Sequence, residues 1–259
     1  VTSIGSSAFE GCSGVTKLYI GESVKTIGSS AFKGLSKITT AKVPDSTTSI
    51  GEGAFSGCSS LFSITIPYVS GSQFGYIFGK DSYNGGISTE QYYSSSYPYY
   101  YTYYIPTTLR EVTVTKATSL AYGAFSNCSN ITEINLNDKI TSIGNKAFYN
   151  CSSLKTIAIP QATTSIGEDA FYNCDSLTNV IIPNSVTTLG ASAFRDSNNL
   201  SNVTLSENLT TINYYTFSGC TGLKNISIPA SVTTIGEKAF YNCSSFSEIS
   251  IPDKVTSIG

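Results

Sequence analysis

One interval constrains this chain more than any other property. The motif Ile-Gly-x-x-Ala-Phe returns every 23 residues, with a single gap of 70 between Ile50 and Leu120. With Ile as position 1, the column reads Ile4, Ile27, Ile50, Leu120, Ile143, Ile166, Leu189, Ile212, Ile235 and Ile258. One unit of 23 residues has too few large apolar side chains to bury a face alone, whereas stacked units do. In-register stacking sets like on like at the ~4.8 Å spacing of adjacent strands. The expected fold class is a mainly β repeat solenoid of about nine 23-residue units with one long inserted loop.

The columns assign local structure. Leu-x-x-Ile-x-Ile-Pro, as in Leu154, Ile157, Ile159 and Pro160, alternates with a period of two and predicts a short strand that Pro ends. Val-Thr-x-Ile, as in Val232 to Ile235, predicts a second extended segment. Gly at position 2 implies a positive φ or a close backbone approach. Ala-Phe-x-x-Cys predicts a short helical or 3₁₀ turn, because its apolar residues recur three and four apart.

Composition narrows the chemistry. There is no His, Met or Trp, so Ser-His-Asp and Cys-His arrangements and His-ligated metal sites are excluded. Charged residues make up 12 % and the net charge is −2, which leaves no basic surface for nucleic acid. No apolar run reaches the length of a membrane span, so no membrane insertion is expected of this segment. All seven Cys share position 9: Cys12, Cys58, Cys128, Cys151, Cys174, Cys220 and Cys243. A linear column does not converge on a metal, and in-register side chains lie parallel. Leu35 takes the same slot, so free, buried thiols are expected.

The pattern Leu-x-x-Ile-x-Ile-Pro-x-x-Val-Thr-x-Ile-Gly-x-x-Ala-Phe-x-x-Cys resembles the BspA-like, Treponema-type leucine-rich repeat, over about 210 of the 259 residues. The resemblance implies a right-handed leucine-rich-repeat solenoid with a parallel β-sheet on one face. It also implies bacterial or protist surface proteins that act as adhesins or host-protein binders. Enzymatic activity and cofactors are not part of that expectation. An extracellular or bacterial cell-surface setting agrees with the low-charge, Ser/Thr/Asn-rich composition.

Residues 1–259 read as a single solenoid segment, and from about residue 69 to 108 the repeat pattern stops. That insertion contains Phe74-Gly75-Tyr76-Ile77-Phe78-Gly79 and a run in which eight of thirteen residues, Tyr92 to Tyr104, are Tyr. Tyr suits a contact surface and equally suits packing a loop onto its own solenoid. Tyr97, Tyr99, Tyr100, Tyr101 and Tyr103 are its candidate partner-binding residues, with Tyr97, Tyr99 and Tyr101 as stacking platforms if the ligand is a glycan. On the main strands, the outward positions contribute Glu111, Glu133, Asn135, Thr156, Asn179, Asn202, Asn225 and Glu248.

Three functions remain open. The first is an adhesin-like module that binds a host matrix or other cell-surface protein. The second is a structural spacer, and the third a carbohydrate-binding accessory region. Val1-Thr2-Ser3-Ile4-Gly5 and Val255-Thr256-Ser257-Ile258-Gly259 cut the repeat in one phase. A segment of a longer protein is therefore expected, with end-to-end self-association when isolated.

Overall fold

The computed structural model describes residues 1–96 and 100–259. The chain divides into two compact units, Val1–Ala117 and Thr118–Gly259. Each is a β-solenoid that follows the 23-residue period, and together they make about 11 turns. Among the described residues, helix is confined to two 3₁₀ pieces, Ser70–Ser72 and Phe74–Phe78.

Both predicted extended segments form. In the first unit Ser3–Ile4, Thr26–Ile27 and Ser49–Ile50 pair in parallel, with Ile4 beside Ile27 and Ile27 beside Ile50. The longer strands Thr40–Lys42, Ser63–Ile66 and Glu111–Val114 make a second parallel ladder. In the second unit Ser119–Leu120, Ser142–Ile143, Ser165–Ile166 and Thr188–Leu189 form one ladder. Thr211–Ile212, Thr234–Ile235 and Ser257–Ile258 form another. The Ile-x-Ile strands pair there as Asn179–Ile181 with Asn202–Thr204, and through a single bridge from Glu133 to Thr156.

The Ala-Phe-x-x-Cys segment departs from expectation, because it is not a helix. Its amides alternate between two uses. Those of Ala147, Tyr149 and Cys151 close tight turns onto carbonyls three residues earlier. Those of Lys146, Phe148 and Asn150 donate instead to Glu168, Ala170 and Tyr172 of the next turn, at 2.7–2.9 Å. A helix would require every amide to bond within its own segment. The alternation forces positive φ at positions 4 and 8, as at Lys146 (56°) and Asn150 (61°). Position 8 is Gly, Asn or Asp in all nine complete units, the residue types that tolerate this conformation. Gly at position 2 serves the close approach. A Cβ on Gly28, Gly51, Gly167, Gly190 or Gly236 would sit 2.3–2.5 Å from a backbone nitrogen of the turn before.

The core is a set of side-chain columns. Phe32, Phe55, Phe125, Phe148, Phe171, Phe194 and Phe217 are at most 1 % exposed. Successive rings in the second unit stack 5.0–5.7 Å apart and within 11° of parallel. Each such pair adds about 0.5–1.5 kcal/mol beyond burial of its area. The terminal turns expose apolar side chains: Phe9 is 47 % exposed at one end, and Ile251 42 % and Ile258 61 % at the other.

The repeat does not stop in the insertion, which corrects the boundary drawn from sequence. Phe78 lies 23 residues after Phe55 and is fully buried, with Ile77 in the Ala slot. Phe55 donates to the carbonyl of Ile77 at 2.8 Å, as it would to any following turn, and Gly53 to that of Tyr76 at 2.9 Å, one residue further on than in the regular turns. Phe74–Phe78 is therefore a degenerate turn, 3₁₀ in form, with Gln73 and Phe74 where the motif has Ile and Gly. The true addition is an antiparallel hairpin, Gly86–Tyr92 with Tyr100–Pro106.

Phe171→Ala is expected to cost about 3–5 kcal/mol, as for other buried Phe deletions, and Phe9→Ala clearly less. Denaturant unfolding of the two variants checks the difference.

Candidate functional site

The outward row of the second unit is accessible as the alternation requires. Glu133, Asn135, Thr156, Asn179, Asn202, Asn225 and Glu248 are all exposed, while Ile134, Ile157, Val180 and Ile226 between them are buried. Ile181 stands out of this row at 66 % exposure. Several polar groups are already engaged with each other. Asn202 donates its amide to Asn179 at 2.7 Å, and Asn135 donates to Glu133 at 2.8 Å. In the first unit Glu111 is half-buried.

The hairpin divides the tyrosines. Its inner face, Thr89, Gln91, Tyr103 and Ile105, is buried on the degenerate turn. Gln91 accepts a hydrogen bond from the Gly75 amide, and Tyr104 donates its amide to Gly79 at 3.0 Å. Tyr103 is 1 % exposed, and its ring lies where a side chain on Gly75 would be. The expectation that Tyr103 meets a partner is thereby corrected: it holds the hairpin down. Burial also pushes its phenol well above the ordinary range. Tyr100 and Tyr101 are each 42 % exposed. Tyr101 stacks on Tyr93 at 4.5 Å and carries Lys80 Nζ 4.6 Å from its centroid. Tyr97 and Tyr99 lie outside the described residues.

None of the seven cysteines is in a disulfide. Five of them donate to the carbonyl of the Phe 26 residues earlier, as Cys151 does to Phe125 at 3.1 Å and Cys220 to Phe194 at 3.1 Å. Ser197 makes the same bond to Phe171 at 2.9 Å, which explains why a hydroxyl fits this slot. Burial raises Cys243 to about 11 and Cys58 and Cys151 to about 12. Cys12, in the first turn, is the exposed exception. Among the described residues no three His, Cys, Asp or Glu side chains gather as metal ligands, and no helix is long and apolar enough to cross a membrane.

One surface feature was missed from sequence. Position 7 of the second unit carries Tyr149, Tyr172 and Arg195, and position 4 adds Lys146, Tyr215 and Lys238. Tyr149 and Tyr172 stack at 4.7 Å, and Arg195 lies 5.8 Å from Tyr172 and 4.9 Å from Tyr215. Lys238 donates to the Tyr215 hydroxyl at 3.1 Å. The signal was available in the same columns that were read for Phe and Cys, but these positions vary from unit to unit.

Ile, Phe and Cys columns inside and polar rows outside define a leucine-rich-repeat β-solenoid. The chain belongs to the BspA type leucine-rich repeat region family, whose model matches in six copies across residues 1–84, 98–220 and 164–259. It is similar in structure to the leucine-rich repeat protein of Treponema pallidum, at 21 % identity and a TM-score of 0.48, covering 87 % of this chain and 72 % of that one. A leucine-rich cell surface protein of Faecalibacterium prausnitzii is 25 % identical, with a TM-score of 0.40 and coverage of 99 % and 72 %. A leucine-rich repeat protein of Bacteroides ovatus is 24 % identical, with a TM-score of 0.45 and coverage of 100 % and 78 %. No curated protein sequence matches the chain.

In the folded protein, Ellman's reagent is expected to titrate Cys12 rapidly and the buried thiols only on unfolding, when all seven react without reductant. Raising the pH from 7 to 9 is expected to leave Cys58, Cys151, Cys174, Cys220 and Cys243 unreactive in the folded protein, because burial raises their pKa values. A denatured, non-reduced count well below seven would refute the free-thiol assignment.

Proposed function

We propose that this chain is a non-catalytic, adhesin-like interaction module of an extracellular or bacterial cell-surface protein. It contacts a host matrix or other cell-surface protein through its sheet face and its Tyr-rich hairpin. The observation that carries this reading is the exposed row of the second unit. Six successive turns, from Glu133 to Glu248, each offer an outward side chain. At ~4.8 Å per turn the row is about 24 Å long. That matches the width of a standard interface, which buries about 800 Å² on each partner. The row is polar and weakly charged, and Ile181 gives it one apolar anchor. Tyr100 and Tyr101 of the hairpin supply exposed aromatic rings of the kind that dominate interface energetics. Family membership and the Ser/Thr/Asn-rich composition support the surface location.

The spacer reading draws on the hydrogen bonds already closed within the row, Asn202 to Asn179 among them. Binding separates the two readings. The intact chain, immobilised and probed with purified extracellular-matrix and cell-surface proteins, is expected to capture at least one. Ile181→Glu or Tyr100→Ala is expected to weaken capture by about tenfold or more without lowering stability. If the intact chain captures none of them, the spacer reading stands.

The exposed terminal turns make self-association of the isolated chain a further part of this proposal. Phe9 borders a hollow of about 600 Å³ together with Ile4, Val15 and Leu18. Sedimentation velocity is expected to show a weight-average mass that rises with concentration. A sharp monomer at high concentration would count against it.

A further inference from the structure

The turn surface of the first unit differs from that of the second in what its columns hold. Where three successive turns of the second unit set Tyr149, Tyr172 and Arg195 at position 7, the first unit has Glu10, Lys33 and Ser56. Three of its positive-φ corners, Gly34, Gly53 and Gly57, carry no side chain, and Ser30 at a fourth carries a small one. The surface there sinks into two adjoining hollows of about 510 and 390 Å³, which share Lys33, Ser56 and Asp81 as walls. Residues 80–84, leaving the degenerate turn, close the far side.

The groups lining this cleft come as ammonium–carboxylate pairs. Lys33 Nζ lies 3.9 Å from Asp81 and 3.2 Å from Glu10. Lys80 Nζ lies 3.5 Å from Glu52. All of these side chains keep between a third and most of their surface open, so water and small solutes reach them. The Tyr83 ring forms a fixed wall, because its hydroxyl donates to the Tyr104 carbonyl at 2.9 Å.

Such pairs suit one ligand chemistry. Two neighbouring hydroxyls present an acceptor and a donor a few ångströms apart. One oxygen accepts a hydrogen bond from the ammonium while the other hydroxyl donates to the carboxylate, and both bonds are charge-assisted. A ring wall beside them accepts an apolar C–H face. An anionic ligand fits less well, since Glu52 and Asp81 already balance Lys80 and Lys33 in the lining and Glu10 pairs with Lys33 from outside it. A divalent cation fits less well too, because these carboxylates are already paired with lysines.

We propose that this cleft binds a neutral saccharide through vicinal hydroxyls, held by Lys33 and Asp81 at one end and by Lys80 and Glu52 at the other. The site uses none of the residues assigned above to protein contact, so either function can fail without the other. Saturation-transfer NMR on the intact chain tests it. The probes are methyl glycosides of galactose, mannose, glucose and N-acetylglucosamine, with sialyllactose as the acidic comparison. At least one neutral glycoside is expected to show transfer. Asp81→Asn and Lys33→Ala are each expected to weaken its binding about tenfold or more, the loss of one charged hydrogen bond. Gly57→Asn puts into the cleft floor the residue that the same corner carries at Asn127 and Asn150, and is expected to abolish binding while the fold is kept. Asp253→Asn, at an exposed position outside the cleft and the row, is expected to leave binding unchanged. Unchanged thermal unfolding of each variant separates loss of the site from loss of the fold. No transfer from any neutral glycoside, preference for sialyllactose, or binding indifferent to all three cleft variants would overturn the proposal.

Discussion

Everything in this molecule depends on backbone amides that reach across to the neighbouring turn. At positions 4, 6 and 8 the N–H leaves its own segment and donates to the carbonyl one turn on, as Ser7, Phe9 and Gly11 do to Ser29, Ala31 and Lys33. These bonds close only if the backbones approach tightly, and a Cβ at position 2 would press into the turn before. The 23-residue register follows from that geometry. Inserting or deleting one residue within a turn would take its Phe out of the ring column and its amides away from their carbonyls together. The period is kept even where the motif decays, and Phe78 falls in step with Phe55 although little else of the motif survives there.

Polar side chains are drawn into the same ladder. Thr141, Thr164, Thr233 and Thr256 donate their hydroxyls to carbonyls 23 residues earlier, and the column thiols reach carbonyls 26 residues earlier. Asn150 and Asn173 each donate to the Asn of the turn before. Repetition of Cys, Thr or Asn in this chain thus follows from stacking, because each of these side chains bonds a carbonyl or an Asn of an earlier turn. The regular columns are the scaffold. What is specific to a partner has to lie where a column changes from one turn to the next.

The fold was legible because the same constraint is written repeatedly, and nine agreeing units leave little freedom in reading it. Local conformation was less so. Ala-Phe-x-x-Cys has helical spacing, yet which amides bond outward is decided by the neighbouring turn, a fact of tertiary structure that no single unit records. The Gly, Asn and Asp at position 8 did carry the positive φ in plain view. The insertion was harder. Its 47-residue excess hides one more turn, since Gln73 stands in the Ile column and Ile77 in the Ala column. Composition could not say which tyrosines of the hairpin face inward. Only the pairing of Thr89 with Tyr103 and Gln91 with Tyr101 sets one face against the degenerate turn, burying Tyr103 and leaving Tyr101 to stack on Tyr93 near the rim.

The two units put the same corner positions to different use. In the second, position 7 is filled by rings and a guanidinium that satisfy one another, Tyr149 on Tyr172 and Arg195 between Tyr172 and Tyr215. That surface is flush, and its groups would have to give up present contacts to take new ones. In the first unit Gly34, Gly53 and Gly57 hold three of the positive-φ corners, beside Ser30, so the backbone conformation is the same but no side chain stands above those three. The residues around that space are ion pairs with exposed ends, which lose little by admitting a hydroxyl between them. A repeat that must keep its backbone fixed can still differ from turn to turn in how much side chain it sets on each corner. In this chain that freedom separates a surface that is closed from one that is open to a ligand.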